Sequence, residues 1–313
     1  MSNETANNAA AAHRHRRMTA MRRNEAVAGY LFMLPLLLGI IFLTYGQFIY
    51  SLIISFTDQS VFGASKFVGF QNYTKLLTDD FFFWKSIKAT LLYAFGSVIA
   101  TQLTALAIAL LLNNKYLQGK TFFRTVFYIP SIVPAVASCL LWMWMFNPDY
   151  GIFNAVLKAI GLPTSKWIYA ESSAVPSLIL MSAWACGAPM VIYLSGLANV
   201  PPSLLEAVEI DGGGAWSKLI HITIPMISPV LFYNTLMGVI NGFMTFTNTY
   251  VMTEGGPNNA TLFVNYLIYR DAFQYNEFGY ASAIAWIVFF VLAVLTLIIF
   301  QFFGKKVYYG GKD

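Results

Sequence analysis

Six long stretches of this chain contain no Asp, Glu, Lys or Arg. They lie between Glu25 and Asp58, Lys88 and Lys115, Arg124 and Asp149, Glu171 and Glu206, Lys218 and Glu254, and Glu277 and Lys305. A helix needs roughly 20 apolar residues to cross a bilayer, and each stretch is longer than that. Backbone polar groups in hydrocarbon must be satisfied within the segment, which makes each crossing helical. The sequence therefore predicts an all-α integral membrane fold of six transmembrane helices, near 28–57, 88–113, 125–147, 173–198, 226–252 and 279–303. A membrane barrel would alternate in polarity over about ten residues, and these runs do not. With 58% of residues hydrophobic and only 11% charged, no soluble domain of 313 residues could bury the excess.

The basic residues give an orientation. If the N-terminus is cytoplasmic, that side receives Arg14, Arg16, Arg17, Arg22, Arg23, Lys115, Lys120, Arg124, Lys218, Lys305, Lys306 and Lys312. The other side receives Lys66, Lys75, Lys85, Lys88, Lys158, Lys166 and Arg270. Twelve against seven favours both termini in the cytoplasm. The net charge of +5 comes mostly from the N-terminal arginines and serves orientation, with no implication of nucleic acid. Residues 1–24 read as a disordered basic tail, and 25–313 as one transmembrane domain. The first apolar run is too long for a cleaved signal peptide, and Ser55-Phe56-Thr57-Asp58 offers no small-residue cleavage site.

Catalytic chemistry is missing. Cys139 and Cys186 fall inside the third and fourth spans, where packing is their expected role. His13 and His15 lie in the tail and His221 stands alone, so no metal-ligand set forms. Gly119-Lys120-Thr121 imitates the end of a phosphate loop, but Asn114 stands where its first glycine belongs and a membrane helix replaces the preceding strand. All fourteen acidic residues fall outside the charge-free runs and no intramembrane carboxylate or histidine pair exists, although proton-coupled carriers keep titratable groups in the membrane. Energy is then expected from a protein docked in the water. An ion-coupled secondary transporter or a channel is the alternative.

The docking element is the polar island Pro201–Pro229. Ser203 and Glu206 have the spacing of a capping box, and Pro201 and Pro202 stop the fourth span. One short helix is expected over about 204–211, a turn at Gly212, Gly213 and Gly214, and a second helix over about 215–222. The second places Trp216, Leu219 and Ile220 on one face. Such amphipathic pieces either lie on the membrane surface or fit an apolar groove on a partner.

The island, at about 201–225, resembles the E-A-A loop of binding-protein-dependent ABC importer permeases. Glu206, Ala207, Gly212, Ile222 and Pro225 are in register with that loop. Val208 replaces its second alanine, Ile224 a leucine, and Gly213 an alanine that often follows the Asp-Gly pair. The resemblance extends to F-V-G-F-Q-N-Y at 67–73, G-K-T-F-F-R-T-V-F-Y-I-P at 119–130, W-M-F-N-P-D-Y-G-I-F-N at 144–154 and T-E-G-G-P-N-N-A-T at 253–261. These look like the maltose, lactose and glycerol-phosphate type of carbohydrate permease. The resemblance implies one permease subunit in a prokaryotic inner membrane, with a homologous second permease, two ABC ATPase subunits and an extracytoplasmic sugar-binding protein as partners. It implies that Glu206, Ala207, Asp211, Gly212 and Trp216 couple to an ATPase. ATP and Mg would be bound there, with no cofactor on this chain.

A solute path is suggested by Asn234, Asn241, Thr245 and Asn248 in the fifth span, separated by 7, 4 and 3 residues and so on one helix face. Such residues also serve as hydrogen-bonding glue between helices. Asn amides both donate to and accept from sugar hydroxyls. In the maltose type the sugar site lies on the fifth span and on the part of the fourth that is Gly187-Ala188-Pro189 here, which adds Gly187 to the path residues. Met190 stands where that type has an aromatic residue. Trp184 and Tyr193 could stack on a sugar or simply pack, whereas Trp142, Trp144 and Trp167 read as interfacial anchors. Pro130, Pro134, Pro176 and Pro189 mark expected bends.

Overall fold

Each apolar run folds as helix, and prolines decide where a helix breaks. The computed structural model describes residues 20–60 and 65–304, and the side chains of 23–60 and 65–304. Among the described residues three helices are long and apolar enough to cross a membrane unbroken: α1 (Arg23–Ser55), and, later in the chain, Phe81–Asn113 and Phe278–Gly304. Three bent helix pairs also pass that test together, which makes up to six crossings if each pair is one span.

The chain divides into two units, Met1–Ile54 and Ser55–Asp313. The first is described by α1, which contains Pro35 and widens into π-type turns over Gly39–Gly46. No described side chain before Ser55 is buried. Ala20–Asn24, expected in the disordered tail, is the start of this helix, while residues 1–19 lie outside the described residues.

In the second unit the short helix α2 (Gln71–Thr78) leads to α3 (Phe81–Asn113). Then come α4 (Lys120–Tyr128), a 3-10 turn at Ile129–Ile132 and α5 (Ala135–Met145), with α4 and its turn bent 98° from α5. Pro130 and Pro134 flank the break, so the third span is two arms that part at the bend these prolines marked. After α6 (Ile152–Ala159), α7 (Glu171–Trp184) and α8 (Gly187–Ala198) form the fourth span, bent by 48°. Pro176 sits inside α7 without breaking it. The island supplies α9 (Pro202–Ile210) and α10 (Ala215–Met226), and α10 meets α11 (Ser228–Phe243) at 69°. The last elements are α12 (Val264–Tyr269) and α13 (Phe278–Gly304).

α3 is the axis of this unit, packed by α7, α8 and α11. Small residues allow the approach: a Cβ on Gly242 would stand 2.7 Å from the Ala94 Cα. α3 begins seven residues before the expected span start at 88, because Asp80 caps it by accepting from the Phe83 N–H at 3.0 Å. Lys85 is thereby inside the helix, where its ammonium donates to the Asn258 carbonyl and lies 4.0 Å from Glu171. At the Asn113 end, Leu112, Tyr193, Leu197 and Ile227 form an apolar layer beside the island. At the Phe81 end, Phe83, Leu262, Leu267 and Tyr280 form another.

Candidate functional site

Between these layers lies a cavity of about 550 Å³ at the middle of α3. α3 contributes Tyr93, Ser97, Thr101 and Gln102, the α7–α8 bend contributes Ser182, Ala188 and Pro189, and α11 contributes Asn234 and Asn241. Ser131, Ser138, Tyr233 and Asn248 complete its polar lining, and no Asp, Glu, Lys, Arg or His lines it. Such a wall offers amides and hydroxyls without ionic charge, which suits uncharged polar groups.

The hydrogen bonds separate wall from lining. Gln102 Nε2 donates to the Asn234 carbonyl at 3.0 Å, and Gln102 Oε1 accepts from the Tyr193 hydroxyl at 2.6 Å. Gln102 thus ties α3 to both α8 and α11. Asn234 is almost fully buried and its amide donates to the Pro189 carbonyl at 3.4 Å, so it acts as glue. Ser131 satisfies the fourth-span bend, donating to the Ala185 carbonyl at 3.3 Å and accepting from the Ala188 N–H at 3.2 Å.

The expected path residues separate accordingly. Asn241 is exposed in the cavity wall, and no hydrogen bond to its side chain occurs among the described residues. α11 ends at Phe243, and Thr245 lies in a non-helical break before the turn of helix that carries Asn248. A single helical face therefore does not carry all four residues. Asn248 still lines the cavity, donating to the Tyr93 hydroxyl and accepting from the Cys139 thiol, both at 3.5 Å. Thr245 reaches the Tyr93 hydroxyl from outside the lining. Gly187 stands behind the wall, where a Cβ would meet Ser131 Oγ at 2.6 Å and the Phe127 carbonyl at 2.7 Å. Its role here is close packing, and Ala188 and Pro189 are the exposed part of that motif.

Sequence reasoning missed the α3 face. Ser97 and Thr101 are four residues apart in an apolar run, a spacing that would have marked it. It also misplaced tryptophans. Trp142 is a core residue, stacked on Phe153 at 5.5 Å, and its indole N–H lacks the polar partner an interfacial anchor would have. Trp167 stacks on Phe146, whereas Trp144 is exposed. Trp184 packs edge-on against Trp142, and Tyr193 is fully buried, so neither offers the cavity a flat stacking face.

The island folds as the two helices expected, with a different start. Pro201 is the N-cap and Pro202 the first helical residue, and no side chain caps the helix. Ser203 lies inside α9, so the capping box does not form; proline at the first position makes one absent N–H harmless. At the other end the Gly213 N–H reaches the Val208 carbonyl at 2.8 Å and the Gly212 N–H reaches that of Glu209 at 3.1 Å. This is a Schellman closure, and Gly212 takes the left-handed conformation it requires, at φ +80°. Lys218 on α10 donates to Glu209 on α9 at 2.8 Å, and this bond and charge hold the Glu209 carboxyl below its ordinary range. Glu206, Ala207, Asp211, Gly212 and Trp216 are all exposed, on the two helices and in the turn between them. Ile210 and Trp216 expose 86% and 75% of their surface.

The description of the binding-protein-dependent transport system inner membrane component matches residues 103–308, which include the island and most of the cavity. The chain belongs to that family. The probable ABC transporter permease protein YesP of Bacillus subtilis is 37% identical over 93% of this chain and 95% of its own length. The trehalose/maltose transport system permease protein MalF of Thermococcus litoralis is 31% identical over 89% and 94%. A solved bacterial alginate ABC transporter, in complex with an alginate pentasaccharide-bound periplasmic protein, contains a chain of the same fold. That chain aligns with a TM-score of 0.75 at 21% identity over 90% of this chain and 93% of its own. The permease family supplies a membrane component rather than a catalyst, in keeping with the bent spans, the mid-span cavity and the exposed island.

Proposed function

We propose that this permease subunit forms half of the translocation path of an ATP-driven sugar importer. It would pair with a homologous permease, two ATPase subunits that bind ATP and Mg, and an extracytoplasmic sugar-binding protein. Both termini and the island would face the cytoplasm of a prokaryotic cell. The names of the sugar-transporting relatives support the substrate class, and the uncharged amide and hydroxyl lining is suited to sugar hydroxyls.

One observation carries the mechanism. The island is the direct connection between α8 and α11, and both helices form walls of the cavity. The Glu209–Lys218 ion pair and the Schellman closure make α9 and α10 a single lever. An ATPase gripping Glu206, Ala207, Asp211, Gly212 and Trp216 would move both walls together. Alternating access then needs only a change in their separation, biased by the ATPase state.

The test is to purify the tagged permease, identify what co-elutes, and compare it with Gly212→Pro, which cannot adopt φ +80°. Substrate-stimulated ATPase and sugar uptake should fall together while the protein still inserts. Glu206→Ala separates coupling from stability, because Glu206 caps nothing here. Normal stimulation and uptake in both variants would remove the coupling role.

A further inference from the structure

We propose that a groove between the end of α3 and α4 holds an acyl chain of an anionic phospholipid, with its phosphate among Lys115, Lys120 and Arg124. The groove encloses about 440 Å³. Leu111, Leu112 and Leu117 line one side, Phe123 and Phe127 the other, and Asn114 and Tyr116 stand at its mouth. Leu112 is buried at the floor, while Leu111 and Tyr116 expose 67% and 79% of their surface, so the groove opens outward.

Its direction follows from its neighbours. Lys120 begins α4 close to the end of α3, where Leu110-Leu111-Leu112 gives way to Asn113-Asn114-Lys115. At its other end, α4 seats Phe127 and Tyr128 against Gly187, at the depth of the cavity. The groove thus runs from the edge of the apolar zone inward, as an acyl chain does below its headgroup.

Charge selects the headgroup. On a helix Lys120 and Arg124 share one face, and at 100° per residue this face adjoins that of Phe123 and Phe127. The cationic stripe therefore borders the apolar wall. Lys115 stands at the mouth, its ammonium 5.1 Å from the Tyr116 ring. Among the described residues none of the three cations forms an ion pair, although Lys218, Lys75, Lys85 and Arg270 all do. Three cations outside any ion pair, of which only Lys115 feels a more distant acid, Glu209, fit a lipid phosphate beside this groove better than an extended peptide, whose backbone would need hydrogen-bond partners that these walls lack. The Gly119-Lys120-Thr121 sequence, which imitates a phosphate loop, is explained as part of this rim.

The test is native mass spectrometry of the assembled complex titrated with dioleoyl phosphatidylglycerol or dioleoyl phosphatidylcholine, which share acyl chains and differ in net charge. The intact complex should bind the anionic lipid at least tenfold more tightly. Replacing Lys115, Lys120 and Arg124 together with Gln should weaken it about fivefold per charge, roughly a hundredfold in all, and leave phosphatidylcholine unchanged. Leu111→Trp, at an exposed wall, should weaken both lipids. Equal binding of the two lipids by the native complex, or undiminished phosphatidylglycerol binding by the triple variant, overturns the proposal. Loss of a protein subunit from the triple variant with lipid binding intact also overturns it, and makes the groove a protein interface. Lipid retention is read without sugar, so failure of the sugar reading would leave this result separate.

Discussion

A Cβ placed on Gly213 would stand 2.5 Å from Cγ1 of Val208 and 2.9 Å from its carbonyl oxygen. These two positions are also where the island departs from the E-A-A pattern, with valine for the second alanine and glycine for a following alanine. The structure makes the two departures one. The valine methyl occupies the space that an alanine at 213 would fill, and the Schellman closure holds the pair in contact.

Gly213→Ala alone should therefore overpack the turn, at a typical cost of about 1–3 kcal/mol. Co-purification of the ATPase and sugar uptake should both drop. Adding Val208→Ala should restore most of the loss, leaving the smaller carbonyl contact. A double variant no better than the single one would show that the positions are independent.

The cavity predicts different outcomes for two asparagines on α11. Asn241→Leu should cut uptake while the complex assembles, since the Asn241 side chain holds no helix in place. Asn234→Leu should lower assembly and thermal stability, because it removes a bond to Pro189 from a buried position. Uptake assays and the yield of intact complex separate the two effects. If both variants lose assembly, Asn241 is glue as well.

The charge-free runs coincide with the three long apolar helices and the three bent pairs, since burying an unpaired charge in hydrocarbon is costly whatever the fold. They placed the second span from Lys88, yet α3 starts at Phe81 and carries both Lys85 and Lys88 inside it; Lys85 is held by Glu171 and Asn258 from distant parts of the chain, and such partners are invisible in local sequence. The path face of the fifth span was half legible. Asn241 and Asn248 do line the cavity, yet their spacing was read as an unbroken helix, and the break at 244–246 moved Thr245 out of the lining. The Gln102–Tyr193 bond joins residues far apart in the chain, so only the folded packing of α3 on α8 brings it into view. In the island the glycines announced the turn correctly. The proline pair displaced the expected serine cap because a residue fixed near φ −65° is already suited to the first turn.

Topology can be read with single cysteines. Cys139 and Cys186 are buried, so their background reaction with a membrane-impermeant maleimide should be low. Ser203→Cys on the island should label only from the cytoplasmic side, and Tyr150→Cys, in the exposed turn after α5, only from the outside. Labelling of both from one side would refute the arrangement with an even number of crossings and both termini inside.

Asp271 gives the last prediction, in pH. It lies in the Arg270–Gln274 turn outside the spanning helices and is only 5% exposed. Burial pushes its carboxyl up to about 6, Arg270 at 3.5 Å opposes the shift, and the charges of Asp80 and Glu277 add to it. The folded-state value is thus above that of an unfolded aspartate, about 3.9. A group raised on folding contributes stability that is full below about pH 4 and is lost as pH rises through 6. Purified protein should therefore melt at a lower temperature at pH 7.5 than at pH 5, having lost about 1.4 kcal/mol, roughly half of the stability that the whole titration carries. Asp271→Asn cannot ionise and should flatten this slope. Its absolute stability is a poor guide, because the variant also deprives the nearly buried Arg270 of its charged partner. The difference between the two pH values is the informative quantity, and an unchanged slope in the variant would assign the pH dependence to other groups.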